Sequence, residues 1–212
     1  GSKGSATRDE DFIEYIYPAS MHNYMLFFTQ RGRCYWLKVY DIPEGTKNSK
    51  GRAIQNMLNI EKDDKATAFI TTKQLQDESY NTSHYLMFCT KNGVVKKTSL
   101  SAYARPRQNG VNAITIREDD KVIEVALTDG KSEIILATKM GRAIRFNEEK
   151  VREMGRTATG VRGVSLNGAN DEVIGMISVE DIEKETIMVI SEKGFGKRST
   201  IEEYRITNRG GK

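Results

Sequence analysis

A strand–turn–strand unit that recurs four times is the feature of this chain that most restricts its fold. In each copy an apolar run is followed by a glycine-containing turn and then a basic run. The copies are MLFFTQRGRCYWLKV (25–39), LMFCTKNGVVKKTSL (86–100), IILATKMGRAIRF (134–146) and IMVISEKGFGKRSTI (187–201). Short runs rich in Ile, Val, Phe and Thr, bounded by Gly and Asn, are typical of strands. Four hairpins are therefore predicted, with turns at Gly32, Gly93, Gly141 and Gly194.

Two further markers recur in the same order after the hairpins. The first combines glycine with apolar residues, as GRAI from 51, GVNAI from 110 and GVSL from 163. The second is an acidic turn that opens an apolar strand, as KDDKATAFI (62–70), EDDKVIEVA (118–126) and ANDEVIGMI (169–177), with a further copy, RDEDFIEYI, at 8–16. Four short strands in a unit of about 50 residues predict an all-β, propeller-like radial array of four-stranded blades rather than an irregular β-sandwich.

We therefore expect a single domain over residues 1–212. It would comprise a half unit (1–23), three complete units (24–84, 85–131 and 132–184) and a second half unit (185–212). The two half units either close a ring together or belong to a longer array. Long helical periodicity is nearly absent, and SLSAYAR (99–105) and FNEEKVREMG (146–155) are expected to hold about a turn of helix.

Charge is distributed unevenly within each unit. The hairpins and the connecting segments after them (24–58, 85–110, 132–163 and 185–212) carry 24 Lys and Arg against 10 Asp and Glu, whereas the other segments carry 9 against 19. Because equivalent positions of a radial array lie on one circumference, this pattern predicts a basic belt on one zone of a disc and an acidic zone elsewhere. Such a belt fits a polyanion wrapped around the disc, with affinity from phosphate contacts and no sequence choice.

The cations of this belt are the predicted DNA-binding residues. They are Arg31, Arg33, Lys38, Lys50 and Arg52 in the first unit, Lys91, Lys96, Lys97, Arg105 and Arg107 in the second, Arg142, Arg145, Arg152, Arg156 and Arg162 in the third, and Lys193, Lys197, Arg198, Arg205 and Arg209 in the last. As a set they favour phosphate contact over a merely solvated surface. A curved belt also bends the duplex, at a cost on the order of 1–6 kcal/mol that contacts on successive units offset.

Signals of catalysis, metal binding or membrane insertion are weak in the sequence. His22 and His84 occupy comparable places before the first strand of two units, which favours a structural role. The sequence has no His/Cys cluster with metal-ligand spacing and no Walker-type loop. No apolar run approaches the roughly 18 residues that span a membrane. Cys34 and Cys89 lie in apolar runs and are expected to be buried free thiols in a reducing cytoplasm, and Trp36 is expected to pack.

Several segments are similar to successive blades of the C-terminal domain of DNA gyrase A. They are LFFTQRGRCYWLKVYDIPEG (26–45), NGVVKKTSLSAYARPR (92–107), VREMGRTATGVRGVSL (151–166) and EKGFGKRSTIEEYRI (192–206). The resemblance covers essentially the whole chain in order, and the corresponding C-terminal domain of topoisomerase IV is its nearest competitor. The resemblance implies a β-pinwheel, a propeller-like disc whose blades exchange strands with their neighbours, here truncated or partly closed.

The same resemblance implies a function. In that family the domain binds duplex DNA around its rim, bends it and leads it back to a catalytic core that supercoils DNA negatively. A non-catalytic role is thus implied, with duplex DNA, the rest of gyrase A and gyrase B in an A2B2 assembly as partners, in the cytoplasm at the nucleoid. ATP and Mg belong to other parts of such an enzyme, so no cofactor is expected in this chain. The alternative from another class is a propeller scaffold that docks acidic protein partners.

The closing segment ITNRGGK (206–212) resembles part of the signature box of gyrase-type domains, Gln-Arg-Arg-Gly-Gly-(Lys/Arg)-Gly. Residues 209–212 match the centre of the box, and Thr207 and Asn208 stand where it has Gln and Arg. In our alignment of the units the segment falls where SKGRAI, RQNGV and RGVSL stand in the others. We expect a degenerate copy of the box that faces phosphate. The family commonly has six blades, so three whole units and two halves predict a piece of a longer array.

Overall fold

The structure, a computed structural model, describes residues 16–72 and 75–211. Within these residues the chain is almost entirely β-structure. The strands are β1 (Tyr24–Thr29), β2 (Arg33–Lys38), β3 (Ala66–Thr72), β4 (Tyr85–Thr90), β5 (Val94–Ser99), β6 (Val111–Asn112), β7 (Val122–Thr128), β8 (Glu133–Thr138), β9 (Ala143–Asn147), β10 (Val161–Arg162), β11 (Val173–Val179), β12 (Thr186–Ile190) and β13 (Gly196–Thr200). The predicted all-β class is confirmed.

The four predicted hairpins are present. The pairs β1–β2, β4–β5, β8–β9 and β12–β13 are antiparallel across the predicted glycine turns. At Gly32 the backbone φ is +87°, and at Gly93 it is +86°. Residues with a Cβ rarely adopt this conformation, which is why the turns require glycine.

Two of the sheets combine strands from neighbouring units. The strand after an acidic turn pairs with the first strand of its own hairpin, as β3 with β1, β7 with β4 and β11 with β8. The opposite edge is completed by a short strand that follows the next hairpin, as β6 on β2 and β10 on β5. The result is sheet 1 (β3-β1-β2-β6), sheet 2 (β7-β4-β5-β10), sheet 3 (β11-β8-β9) and sheet 4 (β12-β13). Neighbouring units therefore exchange strands.

The core lies between successive sheets. Phe28 of sheet 1 packs on Phe88 of sheet 2, with ring centroids 5.3 Å apart in an edge-to-face contact. On the other face of sheet 2, Met87 and Cys89 pack with Leu136 of sheet 3. Because both faces of β4 are covered, its residues 86–90 are all buried, and its sequence is a continuous apolar run rather than an alternating one.

The helical segments are short, as predicted for two of them. SLSAYAR contains a 3-10 turn at Leu100–Tyr103, and FNEEKVREMG contains one at Glu148–Lys150; others lie at Val39–Asp41, Ile54–Asn56 and Ile201–Glu203. The α-helix α1 (Glu78–Ser83) was not predicted. Asp77 begins it as an N-cap, since its carboxylate accepts from the N–H of Tyr80 at 3.2 Å. In the described part of the chain no helix has the length and apolarity of a membrane span.

Both cysteines lie in the buried faces of their sheets. The thiols of Cys34 and Cys89 are free. Burial raises the pKa of both thiols, so they stay protonated and unreactive. The acidic marker at 8–16 lies outside the described residues except for Ile16, as does Lys212.

Candidate nucleic-acid interface

The hairpin turns are held by the acidic turns. In sheets 1 to 3 an aspartate Oδ1 of the acidic turn accepts from the backbone N–H of the residue before the turn glycine. The pairs are Asp64 with Arg31 (3.1 Å), Asp120 with Asn92 (3.0 Å) and Asp171 with Met140 (3.0 Å). The backbone N–H groups of Asn167, Met140 and Glu172 hold the pKa of Asp171 below its usual range. The recurrent acidic marker is thus explained as a structural clamp on the hairpin.

Two cations of the hairpin turns are paired with acidic-turn carboxylates. Arg31 lies 2.5 Å from Asp63 and 3.8 Å from Glu61, and Lys91 lies 3.5 Å from Glu172. The predicted basic and acidic zones are therefore in contact at these turns rather than separate. The charges of Arg31 and Lys91 are partly balanced there, although both side chains keep solvent exposure.

Lys96 is buried, contrary to its prediction as a DNA contact. Its Nζ donates to the main-chain carbonyls of Ala113 and Arg156 and lies 3.4 Å from the Tyr103 hydroxyl. The ring centroid of Phe88 lies 4.8 Å away. Burial, with a smaller contribution from the Arg156 guanidinium, lowers the pKa of Lys96 to about 7. No surface of Lys96 is left for a phosphate.

Lys97 is also removed from solvent, and its prediction is corrected in the same way. Its Nζ lies 3.4 Å from Oε1 of Glu148, a residue of the next unit that is itself fully buried. Glu148 also accepts from the hydroxyl of Thr128 and the N–H of Ser132, both at 3.0 Å. This network joins sheets 2 and 3 and satisfies the buried charges within the protein.

Arg145 is the third predicted DNA contact that is buried. Its Nε lies 3.3 Å from Oε2 of Glu133, on the neighbouring strand. Its Nη1 donates to the carbonyls of Ile201 at 3.2 Å and Tyr204 at 3.3 Å. The guanidinium is therefore occupied by contacts between sheets 3 and 4.

The three junctions are built at one position of the repeat, four residues after the turn glycine. There Trp36 donates from Nε1 to the carbonyl of Tyr103 at 2.9 Å, as Lys97 and Arg145 donate to the turn after the next hairpin. The predicted packing role of Trp36 is confirmed. Alignment of Lys97 and Arg145 with this tryptophan is the sequence signal that marks them as structural.

The other seventeen predicted cations retain solvent exposure. Arg33, Lys91 and Arg156 are partly exposed. The exposed ones are Arg31, Lys38, Lys50, Arg52, Arg105, Arg107, Arg142, Arg152, Arg162, Lys193, Lys197, Arg198, Arg205 and Arg209. Their contact with DNA remains a prediction.

Many of these cations lie on the segments that follow the hairpins, which we call connectors 1 to 4 (39–60, 100–117, 148–166 and 201–211). Connector 2 is bonded to connector 3: Thr115 donates from Oγ1 to the carbonyl of Thr157 at 2.6 Å and from its N–H to that of Ala158 at 3.3 Å. Arg156 of connector 3 donates from Nη1 to the carbonyl of Asn112. The two connectors thus lie side by side.

The contact between connectors 3 and 4 repeats this geometry. Ser165 donates from Oγ to the carbonyl of Gly210 at 3.0 Å and from its N–H to that of Gly211 at 3.1 Å. Arg209 donates from Nη1 to the carbonyl of Arg162 at 3.2 Å. Connectors 1 and 2 meet through Asn59, whose Nδ2 donates to Oδ1 of Asn109 at 3.0 Å. All four connectors therefore form one continuous strip.

These contacts correct the alignment of ITNRGGK. The hydrogen bonds of Arg209 and Gly210 match those of Arg156 and Thr157, so Arg209 corresponds to Arg156. The expected correspondence with RGVSL (162–166) is wrong. Arg162 is not the counterpart of Arg209 but the residue whose carbonyl accepts a hydrogen bond from it. Arg209 is exposed, and its Nε also donates to the carbonyl of Lys150 at 3.2 Å.

Arg117 is an exposed cation that the division of the sequence by charge left out, because it directly precedes an acidic turn. It lines a surface cavity of about 220 Å3 together with Arg162 and the hairpin turn at Asn92 and Gly93. Glu118 and Asp120 also line this cavity. Arg117 therefore joins the strip at the junction between connectors 2 and 3.

His84 is held in place by contacts with Tyr80. His84 places Nδ1 at 2.9 Å from the carbonyl of Tyr80, and its ring stacks on Tyr80 with centroids 3.8 Å apart. These contacts support the structural role predicted for His84. Within residues 16–72 and 75–211, no group of three or more His, Cys, Asp or Glu side chains could hold a metal ion.

The four hairpin units match a known protein family in successive segments. A family model described as "DNA gyrase C-terminal domain, beta-propeller" matches residues 23–73, 84–129, 132–180 and 185–212. The DNA gyrase A protein of Staphylococcus epidermidis (strain ATCC 12228) is 42% identical over all 212 residues, and that of Staphylococcus aureus (strain NCTC 8325) is 41% identical. The chain spans 23% of the length of each of these relatives.

Solved structures share the arrangement of sheets. The C-terminal domain of DNA topoisomerase IV matches with a TM-score of 0.77 and 28% identity, over 91% of this chain and 58% of that one. A DNA gyrase A C-terminal domain matches with a TM-score of 0.75 and 21% identity, over 99% and 68%. The E. coli ParC C-terminal domain matches with a TM-score of 0.73 and 13% identity, over 99% and 82%.

Proposed function

The chain belongs to the family of DNA gyrase C-terminal domains, and we propose that it binds duplex DNA without sequence preference through the exposed cations of its connectors. Its fold is the all-β β-pinwheel of these domains. It is similar to one part of a topoisomerase polypeptide. Because it spans 23% of the length of the gyrase relatives, what the whole polypeptide does is part of the proposal.

The observation that carries the proposal is the continuous strip of connectors. Exposed cations lie on each connector, including Arg52, Arg107, Arg152 and Arg205. Because hydrogen bonds join each connector to the next, these charges have fixed spacing before any ligand arrives. A preorganised row of cations neutralises successive phosphates and releases their counterions, which gives affinity without reading bases.

The strip also supports bending. Connectors 2 and 3 complete sheets 1 and 2 of the pinwheel, and connectors 1 and 4 continue the strip on either side. A duplex that contacts all four follows a curved path. Bending over a few helical turns costs on the order of 1–6 kcal/mol. Several phosphate contacts, distributed over four connectors, offset that cost.

We place this binding within DNA gyrase, where a bent and wrapped duplex serves negative supercoiling. The partners are then the rest of gyrase A and gyrase B in an A2B2 assembly, in the cytoplasm at the nucleoid. ATP and Mg would act in other parts of that enzyme. The equivalent domain of topoisomerase IV is the alternative, favoured by the 28% identity and TM-score of 0.77 with that domain.

A salt titration tests the electrostatic basis of the proposal. Binding of a fluorescent duplex is measured by anisotropy between about 50 and 200 mM salt, with two unrelated sequences. We expect equal affinities for both, and a log–log slope of about −0.9 for each phosphate contacted. An affinity that does not change with salt would contradict phosphate contact.

Charge reversal tests the location. Arg152→Glu and Arg205→Glu are compared with Lys62→Glu and Lys121→Glu, which change the net charge equally but lie in acidic turns. We expect the connector variants to weaken binding by roughly tenfold each and the controls by much less. Equal losses in both sets would refute the assignment. Retention of an acidic protein without DNA competition would favour the scaffold alternative.

A further inference from the structure

We infer that Arg156 and Arg209 are positioning residues that fix the angle between successive sheets, and with it the curvature of the bound duplex. The inference rests on the proposed binding of DNA. It assigns these two arginines a role in the geometry of the array besides any contact of their charges with phosphate.

Each arginine donates to a residue in the edge strand of the preceding sheet. Asn112, whose carbonyl accepts from Nη1 of Arg156, lies in β6 and pairs with Arg33 in sheet 1. Arg156 itself follows the third hairpin. Arg209 follows the fourth hairpin and donates from Nη1 to the carbonyl of Arg162. Arg162 lies in β10 and pairs with Val94 in sheet 2. The segments that carry the two arginines are held on sheets 2 and 3, because the N–H of Met154 donates to the carbonyl of Lys97 and that of Thr207 donates to the carbonyl of Arg145. Each guanidinium therefore ties one sheet to the edge of the sheet before it.

This contact adds to what the packing of the core provides. The apolar side chains between two sheets oppose their separation, whereas a hydrogen bond at the edge strand limits rotation of one sheet on the other. Small rotations at successive junctions add along the array. The sum of these rotations is the curvature along which the exposed cations are arranged.

A hydroxyl group adds a second hydrogen bond at each junction, and we call the two bonds together a clasp. Thr115 donates to the carbonyl of Thr157 at 2.6 Å, next to Arg156, and Ser165 donates to that of Gly210 at 3.0 Å, next to Arg209. The same pair of contacts is thus present at two successive junctions. From the buried side, Lys96 donates to the carbonyls of Ala113 and Arg156, which holds connectors 2 and 3 together.

Charge-preserving substitutions separate this role from phosphate contact. Arg156→Lys keeps the charge but loses the planar fork that aims Nη1 at Asn112, and Thr115→Val removes a hydroxyl without any change of charge. Lys121→Arg is the control, since it also preserves charge at an exposed cation but lies in an acidic turn outside the strip. Affinity is measured by anisotropy, and bending by energy transfer between dyes at the two ends of a bound duplex.

We expect affinities within about twofold of the parent protein for all three variants. Energy transfer should fall for Arg156→Lys and Thr115→Val, because the duplex is less bent, and stay unchanged for Lys121→Arg. Unchanged energy transfer in both clasp variants would overturn the inference. If Arg156→Lys does not fold, Arg209→Lys and Ser165→Ala apply the same test at the next junction.

A measurement without DNA distinguishes this inference from the proposed function. Spin labels at Lys62→Cys and Asn170→Cys, exposed positions in the acidic turns of sheets 1 and 3, report the distance across the intervening sheet. We expect a narrow distance distribution in the parent and a broader one with Arg156→Lys. A broader distribution supports the positioning role even if no DNA binds, and an identical distribution contradicts it.

Discussion

Nζ of Lys97 lies 3.4 Å from Oε1 of Glu148 across the junction between sheets 2 and 3, and both side chains are almost completely removed from solvent. The pair illustrates how this fold uses charge. A buried ion pair adds little over a well-packed apolar pair, but the loss of one partner leaves the other charge uncompensated. Lys97 is thus needed to compensate the buried charge of Glu148.

Lys97→Met should therefore destabilise the protein by about 3 kcal/mol, because Glu148 keeps only its neutral donors. The free energy of unfolding is measured with urea. Arg31→Met is the control, since Arg31 makes an exposed pair with Asp63 that is worth about 1 kcal/mol or less. Addition of Glu148→Gln to Lys97→Met should recover part of the loss, and a loss no larger than the control's would contradict the prediction.

Gly32→Ala should be more harmful than Gly141→Ala, although the two backbones have similar φ values of +87° and +83°. A Cβ at Gly32 would lie 2.5 Å from the carbonyl oxygen of Ile114, whereas a Cβ at Gly141 would meet nothing within 4 Å. We expect about 1 kcal/mol at Gly141 from the left-handed conformation alone, and about 2 kcal/mol more at Gly32. Equal urea midpoints for the two variants would show that the close approach does not matter.

Lys96 should make stability depend on pH above neutrality. Its pKa is about 7 in the folded protein, against about 10.4 in an unfolded chain. Between these values the unfolded chain binds a proton that the folded protein does not, so the free energy of unfolding rises with pH. Burial raises the pKa of Tyr103, so that its hydroxyl stays protonated throughout.

The comparison that checks this is urea unfolding of the parent and Lys96→Met from about pH 6.5 to about pH 9.5. The difference between them should shift in favour of the parent as the pH rises. A difference that stays constant would mean that Lys96 remains charged in its buried site.

Asp120→Ala should loosen the second hairpin turn. Its Oδ1 accepts from the N–H of Asn92 at 3.0 Å and of Lys121 at 2.8 Å, much as an N-cap does in a helix. We expect a loss of about 1 kcal/mol and faster hydrogen exchange of the Asn92 amide. Glu118→Ala, in the same acidic turn, is the control, and equal exchange rates in both variants would argue against the clamp.

The strands and hairpin turns could be predicted because their signals are local. Glycine at a fixed place between two apolar or basic runs is enough to identify a hairpin. The helix α1 escaped prediction because six residues carry little periodicity, and its start depends on the single cap at Asp77. The segment ITNRGGK was aligned with the wrong part of the other connectors because connectors differ in length, and the hydrogen bonds of Arg209 and Gly210 reveal its counterpart.

The sequence predicts which segment of each unit carries the candidate interface, but it does not predict which individual cations in that segment are exposed. Lys96, Lys97 and Arg145 are as basic as their neighbours, and composition alone does not separate a cation that faces solvent from one between two sheets. Their burial depends on the sheet that follows, whose packing is set by residues roughly 50 positions away. Arg117 was omitted for the opposite reason, because it is an exposed cation within an acidic phase.

The exchanged strands have a consequence for how the protein is made. Sheet 1 has its first three strands by Thr72, but its fourth is Val111–Asn112, beyond the whole second hairpin. On the ribosome, sheet 1 keeps an unpaired edge until Val111–Asn112 has emerged after that hairpin. Sheet 2 likewise keeps an unpaired edge until Val161–Arg162 has emerged. Until these strands emerge, each of the two sheets has an unpaired edge that can recruit a neighbouring nascent chain.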